Sequence, residues 1–550
     1  MDGDDMKIVI LDGYVDEPSC LGVPPYISPY PRSVAGACIS SGADVDYITI
    51  GQVRNGKAPA RGDLLVAIGG SAVPGKYLRD SPASRREMIS IAERAGCPSI
   101  LGGPIAAHFS GDDLREAFDM LVTKDVDAAV SEFVNNGRLK DRRRSLEEFD
   151  EWAILGADVC REHPDFGGPL IAEIQTYRGC VRYHTGGCSF CIEPGYGQVQ
   201  FRHPDSVIAE CEALSKAGVK NLRIGGQSCF ISYLSEGVGK TETPRPAPGM
   251  IKFLLKGIKE AARPDVLHLD NANPAVIAEH PQESEKIMQI IAEYCTSGNV
   301  LALGMESADP KVIAENNLNA TPEQVMRSIE IINAAGRESG PTGLPKLLPG
   351  LNLLFGLKGE SRSTYDQDFR FLREVRDKGL LLRRINIRQV IPARKGFEAK
   401  GIDHAHFASF KSRVREEIDR PLLEKVVPSG AVLKAVYLEM NQGNTTFGRQ
   451  VGSYPILVGL PYKSGLNRFV DVKIISHGFR SITGVEYPLD IDHVPMAALS
   501  SIPGIGAKRA RRIVLARPME DAGKLRKALD SDEAFDAISE FISFERGKSS

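Results

Sequence analysis

Between residues 171 and 390 the chain repeats one unit six times: a short apolar run, then a segment with helical periodicity. The runs are IAEIQTY, VKNLRIG, DVLHLD, NVLALG, GLNLLFG and LLRRINIRQV, with helical patterns near 205–216, 249–263, 283–296, 321–336 and 362–378. Strands separated by crossover helices pair in parallel, with helices covering the sheet. Six units are too few for a closed eightfold barrel and enough for a partial one. In such an arrangement functional groups gather on the loops at the carboxyl ends of the strands.

Ten cysteines in 550 residues are too sparse for a disulfide scaffold, so a cluster of them reads as metal or redox chemistry. Three crowd together just after the first of the six strands, in TYRGCVRYHTGGCSFCIEPGYG, where Cys180, Cys188 and Cys191 have the spacing C-x7-C-x2-C. Three thiolates can hold a cubane iron–sulfur cluster by three irons and leave the fourth open to a ligand. The two-residue gap lets one tight turn aim two sulfurs at one centre, and Gly179, Gly186 and Gly187 supply backbone freedom. A rival reading is structural zinc, because Cys180, His184, Cys188 and Cys191 form a complete Cys3His set.

The cysteine loop resembles that of the radical S-adenosylmethionine superfamily, whose usual spacing is C-x3-C-x2-C with an aromatic residue before the last cysteine. Phe190 matches the aromatic, while the first gap is four residues longer than usual. On that resemblance Gly225, Gly226 and Gln227 stand where a glycine-glycine-acid motif holds the methionyl amino group, with Gln227 replacing the acid. Glu306, in LGMES, resembles a GxES element of the methylthiotransferase-like branch. Asn352 with GLKGES resembles that branch's fifth-strand GLPGET. The resemblance implies a [4Fe-4S] cluster, S-adenosylmethionine and an electron donor, and reductive cleavage to methionine and a 5′-deoxyadenosyl radical. Strand-end polar residues expected to line the cavity are His268, Asp270, Asn271, Asn386, Arg388 and Gln389.

The flanking segments fill out an α/β protein of several domains. Residues 1–135 alternate strands and helices and read as a Rossmann-like domain, resembling the cobalamin-binding domain that precedes many radical methyltransferase cores, so cobalamin is a further candidate cofactor. No D-x-H-x-x-G occurs, and no GxGxxG follows the first strand. The alternative there is a second cluster on Cys20, Cys38 and Cys97, against which buried thiols are the preferred reading. Residues 136–168 open with Arg138, Lys140, Arg142, Arg143 and Arg144 and read as a solvated basic linker. The radical core is expected over 169–405 and a helical linker over 406–426.

Residues 427–487 alternate with period two and resemble a TRAM or OB-like β-barrel. Its Phe447, Arg449, Tyr454, His477, Phe479 and Arg480 mix aromatic and basic groups as an RNA surface would. In 488–550, PGIGAKRARR resembles a helix-hairpin-helix. Gly504 and Gly506 permit its tight hairpin, and Lys508, Arg509, Arg511 and Arg512 add charge for a phosphate backbone.

The net charge of −3 excludes a wholly basic coat protein. The acidic start lacks a secretory pattern, and no run approaches ~18 apolar residues. The expectation is a cytoplasmic enzyme without membrane spans that modifies RNA, tRNA methylation or methylthiolation in the first place. Radical chemistry on a protein or small molecule is the alternative, and a zinc-stabilised RNA-binding protein without catalysis is another.

Overall fold

The computed structural model describes residues 6–17, 20–70 and 77–542. Five parallel strands form the N-terminal sheet in the spatial order Asp44–Thr49, Lys7–Asp12, Leu64–Ile68, Ser99–Gly102, Met120–Leu121. In chain terms that order is 2-1-3-4-5, a doubly wound sheet whose ligand crevice lies between the carboxyl ends of its first and third strands. Their runs, KIVILD and LLVAI, are buried almost throughout, as parallel strands covered on both faces must be.

The six expected barrel strands appear as Ile171–Ile174, Asn221–Ile224, Val266–Leu269, Asn299–Glu306, Leu347–Phe355 and Ile385–Gln389. They pair in parallel in that sequence, with a single bridge, Ala272 to Leu303, joining the third to the fourth. A seventh strand is supplied from the N-terminal region: Tyr26–Ile27 pairs in parallel with Ile171–Ala172. Two residues carry too little pattern to be read as a strand. The wall is open between this added strand and the sixth barrel strand, so the barrel is partial.

The helix Pro29–Ser40 leads from the added strand back into the N-terminal sheet. Its Arg32 is buried, donating to Glu210 at 2.6 Å and to the Glu173 carbonyl, while Arg202 meets the other oxygen of Glu210 at 2.5 Å. One apolar core runs from the N-terminal sheet through the barrel wall.

The basic segment does not behave as a solvated linker. Arg142 pairs with Glu132 and Glu148, Arg144 with buried Asp127, and Arg143 lies over the Tyr196 ring. The helix Leu146–Leu155 then packs Trp152 against the helix Pro29–Ser40. Arg138 and Lys140 stay exposed, and the acids that pair with Arg142 and Arg144 come from neighbouring elements, which local composition could not show. Cys38 and Cys97 belong to different apolar clusters on opposite faces of the N-terminal sheet, so they do not converge on a second cluster. The side chain of Cys20 lies outside the described residues.

After the helices His404–Val414 and Arg420–Val426, five strands close a barrel in the order Val432–Gln442, Thr445–Gln450, Leu457–Leu460, Ser481–Glu486, Arg468–His477. Leu457–Leu460 runs parallel to Ser481–Glu486, a small Greek-key barrel. Its core is continuous with Val300, Ala302 and Leu348 of the partial barrel and with the terminal helices Met496–Ser501 and Gly506–Leu515. The small barrel therefore closes the amino-terminal mouth of the large one. Its loop Gly452–Pro455 carries the plug: Ser453 N donates to His268 Nδ1 at 3.1 Å, and Tyr26 donates its hydroxyl to the Gly452 carbonyl at 2.8 Å.

Candidate active site

The cysteine loop follows the short strand Tyr177–Arg178 at the carboxyl end of the first barrel strand. Its extra residues wind into a 3₁₀ turn, Tyr183–Thr185, and the chain returns through Gly186 and Gly187, both with positive φ. Cys191 N then donates to the Cys188 carbonyl at 3.1 Å, closing the tight turn that the two-residue gap requires. Distant groups hold the loop: Arg394 donates to the carbonyls of Gly186 and Cys188, and Asn317 to that of Gly187.

The three thiols sense one another. Burial pushes Cys180 up to about 12, with Cys188 adding to the rise; burial pushes Cys191 far up, reinforced by Glu193, Cys188 and Cys180. Cys188 is raised by burial as well, but Arg182 opposes the rise and donates to its Sγ at 3.3 Å. Neutral thiols crowded together are sites to be occupied, since binding an iron replaces each proton. Phe190 packs edge-on to Phe397 and shares an apolar cluster with Cys188, Leu354 and Val390.

The donor set fits a three-cysteine cluster. His184 is exposed, with its ring against Tyr183. Among the described residues no three His, Cys, Asp or Glu side chains converge tightly enough for a single metal ion. Among the described residues His184 therefore does not complete a closed Cys3His set with the three cysteines.

The loop after the second strand lies beside the cysteine loop, with Ser228 donating to the Gly179 carbonyl at 2.9 Å. Gly225 has a steric reason: a Cβ there would sit 2.1 Å from Glu173 Oε1. Beneath it Arg223, fully buried, donates to Glu173 and to Asp270 at 2.6 Å each. The Gly226 carbonyl accepts from Gln175 at 3.1 Å. Gln227 is itself buried. Its amide donates to the carbonyls of Ile224 and Asp270 and accepts from Thr176, so the side chain is committed to the wall.

Glu306 closes the fourth strand at a bulge, with φ of 64°. A non-glycine residue held there is strained, a condition that persists where the surroundings impose it. Burial raises its carboxyl to about 8 against the pull of Arg388, and no described side chain hydrogen-bonds it. It lies close enough to Cys188 to raise that thiol. Asn352 accepts from Asn386 at 2.8 Å on the next strand.

Three of the expected lining groups are structural instead. His268 sits under the Gly452–Pro455 plug and is held neutral, pulled down to about 4 by burial. Asp270 pairs with Arg223 and accepts from the Tyr454 hydroxyl. Asn271 donates to the Gln227 carbonyl. Sequence reasoning missed Arg182 within the cysteine loop and Asn317 and Arg394, which act on that loop from up to 208 residues away.

The radical SAM family description matches residues 174–372, the span from the first strand to the helix after the fifth. An uncharacterized protein of Methanocaldococcus jannaschii is 45% identical over 504 residues, covering 87% of this chain and 93% of its own. The chain belongs to the radical SAM superfamily. As a radical SAM protein it is an enzyme whose family uses a [4Fe-4S] cluster and S-adenosylmethionine. A tRNA-2-methylthio-N(6)-dimethylallyladenosine synthase of Treponema pallidum is 21% identical over 329 residues, covering 57% of this chain and 67% of its own. The radical SAM methyltransferase TsrM of Kitasatospora setae, solved with cobalamin and a [4Fe-4S] cluster, aligns at a TM-score of 0.45 with 14% identity, covering 70% of this chain and 75% of that one.

Near the C-terminus the helices Met496–Ser501 and Gly506–Leu515 are joined by a tight turn with Gly504 and Gly506 at positive φ. Its charge is smaller than its composition: Arg509 donates to the Gly504 carbonyl and pairs with Asp530, which Arg512 also meets, leaving Lys508 and Arg511 exposed. Of the aromatic and basic residues expected on an RNA face of the small barrel, Tyr454 is buried against Asp270, Arg449 pairs with Glu439, and His477 bonds the Val427 carbonyl. Among the described residues no helix is long and apolar enough to cross a membrane.

Proposed function

We propose that this radical SAM enzyme modifies RNA, with tRNA methylation or methylthiolation as the reaction. Cys180, Cys188 and Cys191 hold the cluster, and Arg182 offsets the charge of the Cys188 sulfur. Phe190 shields that side of the site, the backbone of Gly225 and Gly226 and the Asn352 amide meet the sulfonium ligand, and Glu306 accepts hydrogen bonds from it. When bound, the cluster and S-adenosylmethionine together supply an electron-driven cleavage that releases methionine and a 5′-deoxyadenosyl radical. The chain's own share is to orient that ligand and keep water out, through a barrel plugged below by Gly452–Pro455 and covered above by the cysteine loop.

The single observation that carries the radical chemistry is the placement of Cys180, Cys188 and Cys191 in one loop at the carboxyl end of the first strand of a barrel that matches the radical SAM family over residues 174–372. RNA as substrate is supported by the named tRNA-modifying relatives, the small Greek-key barrel and the hairpin with Lys508 and Arg511. Domain limits near 135, 168, 405, 426 and 487 belong to the same proposal. A second reading, a small molecule or protein as substrate, is favoured by the way the small barrel spends its aromatic and basic groups on the core.

The test is anaerobic reconstitution with iron, sulfide, reductant and S-adenosylmethionine, followed by assay for 5′-deoxyadenosine in wild type and in Cys188→Ala. Formation in wild type alone supports the proposal; absence from both, with zinc bound by the wild type, overturns it. The absorbance spectrum of the same preparation reports a corrinoid if cobalamin is the third cofactor. Mass analysis of tRNA nucleosides from a strain lacking the protein tests the RNA assignment.

A further inference from the structure

The open seam of the barrel encloses a cavity of about 820 Å³. One wall is the sixth barrel strand, with Arg384, Asn386 and Arg388; the other is the added strand at Tyr26 and the N-terminal loops around Asp16 and Tyr77. The linker helices and the small barrel form the rim, with Lys411, Arg415 and Arg480. Asp16 and Tyr77 follow the first and third strands of the doubly wound sheet, the switch point where such sheets bind ligands.

The electrostatics of this cavity are unbalanced. Arg449 is neutralised by Glu439, Arg79 by Asp165, and Arg480 is 3.8 Å from Asp419. Asp16 faces Arg388 and Arg384, whose charges oppose the rise that burial gives its carboxyl, and Asp419 faces Arg415 as well as Arg480; among the described residues Arg384, Arg388, Lys411 and Arg415 nevertheless make no ion pair within 4.0 Å, so cations outnumber acids here. Arg384 is held at φ 67°, with its guanidinium 4.2 Å from the centre of the Tyr454 ring and its Nε donating to Asn386 at 2.8 Å. Burial, with Arg480 and Arg388 nearby, lowers it to about 10; burial, with Arg480 and Arg384, lowers its neighbour Arg383 to about 9. Gathering unpaired cations around a partly desolvated cavity is costly unless an anion completes the set. Four of them exceed what one carboxylate can balance, and the arginine fork matches phosphate oxygens bidentately.

We infer that the seam cavity binds a phosphate ester carrying at least two negative charges, with Arg384 and Arg388 at its depth and Lys411 and Arg415 at its mouth. Arg388 also pulls on the buried Glu306 carboxyl. Naming this ligand the substrate rests on the radical reading above; anion binding itself does not. The chemistry is shared by a free nucleotide and by a phosphate-bearing stretch of an RNA strand.

Fluorescence anisotropy of a fluorescein-labelled oligouridylate, with AMP and pyrophosphate as competitors, separates these sources on the cluster-containing protein. Wild type is expected to bind with a steep salt dependence, and Lys411→Gln/Arg415→Gln at the exposed rim to weaken binding at least tenfold. Arg384→Gln is expected to do the same while raising the melting temperature of the ligand-free protein, because it removes an uncompensated buried charge. Competition by AMP or pyrophosphate supports a free phosphate ester. Loss in the variants without such competition supports a strand. Binding that is absent, or equal in wild type and both variants, overturns the inference. An enzyme that forms 5′-deoxyadenosine yet gives that result keeps the radical reading and loses this one.

Discussion

Arg223 is the side chain on which the floor of the site depends most. It is fully buried, 2.6 Å from Glu173 and 2.6 Å from Asp270, and Gly225 lies against the pair. Replacing it by Met keeps the volume and takes the guanidinium away from two buried carboxylates. Breaking a buried ion pair from one side costs about 3–5 kcal/mol. At about 2–4 °C per kcal/mol for a cooperative unit of 150–250 residues, that is a fall of roughly 6–20 °C in melting temperature. The sign with pH follows from the acids. Buried and without that guanidinium, they have folded-state pKa values raised above their unfolded values, so the protonated folded form is favoured at low pH and its advantage is lost as pH rises. Differential scanning calorimetry should therefore show a smaller loss at pH 5 than at pH 8, and Glu173→Gln/Asp270→Asn should restore much of the stability of Arg223→Met. A loss under about 1 kcal/mol, or one that does not change with pH, would refute the argument that this pair is buried and mutually dependent.

Other expectations bear on ligands and partners. His184→Ala should leave iron and sulfide content unchanged, since the ring is exposed; loss of one iron ligand's worth of metal would return the histidine to the site. Glu306→Gln should weaken S-adenosylmethionine binding about 10–100-fold by equilibrium dialysis, the value of a hydrogen bond to a charged group, and unchanged affinity would remove Glu306 from the site. Lys508→Glu/Arg511→Glu should lower the log–log salt slope of RNA binding by about 1.4, two phosphate contacts on a single strand; an unchanged slope would place RNA elsewhere. Arg509→Gln should speed amide hydrogen exchange in the terminal helices relative to wild type, because Arg509 clamps the hairpin through Gly504 and Asp530; unchanged exchange would refute that role.

Parts of the molecule were legible in the chain because they depend on spacing. The six barrel strands, the tight Cys188–Cys191 turn and the glycines of the hairpin are local patterns in which neighbours along the chain are neighbours in space. Glu306 stood out for the same reason, at the end of a readable strand. Gln227 shows the limit: its position beside Gly225 and Gly226 was visible, yet its hydrogen bonds go to backbone that no local pattern specifies.

Sequence alone determined the element types, their parallel pairing and the presence of three thiols at one strand end, since periodicity and glycine placement act over a few residues. Tertiary structure decided everything that needs two distant segments. It chose the strand Tyr26–Ile27 for the barrel edge, buried Tyr454 against Asp270, tied Arg509 to Asp530 and left four cations facing one cavity. Charge pairing and burial are properties of the space around a side chain, and that space is filled by residues hundreds of positions away.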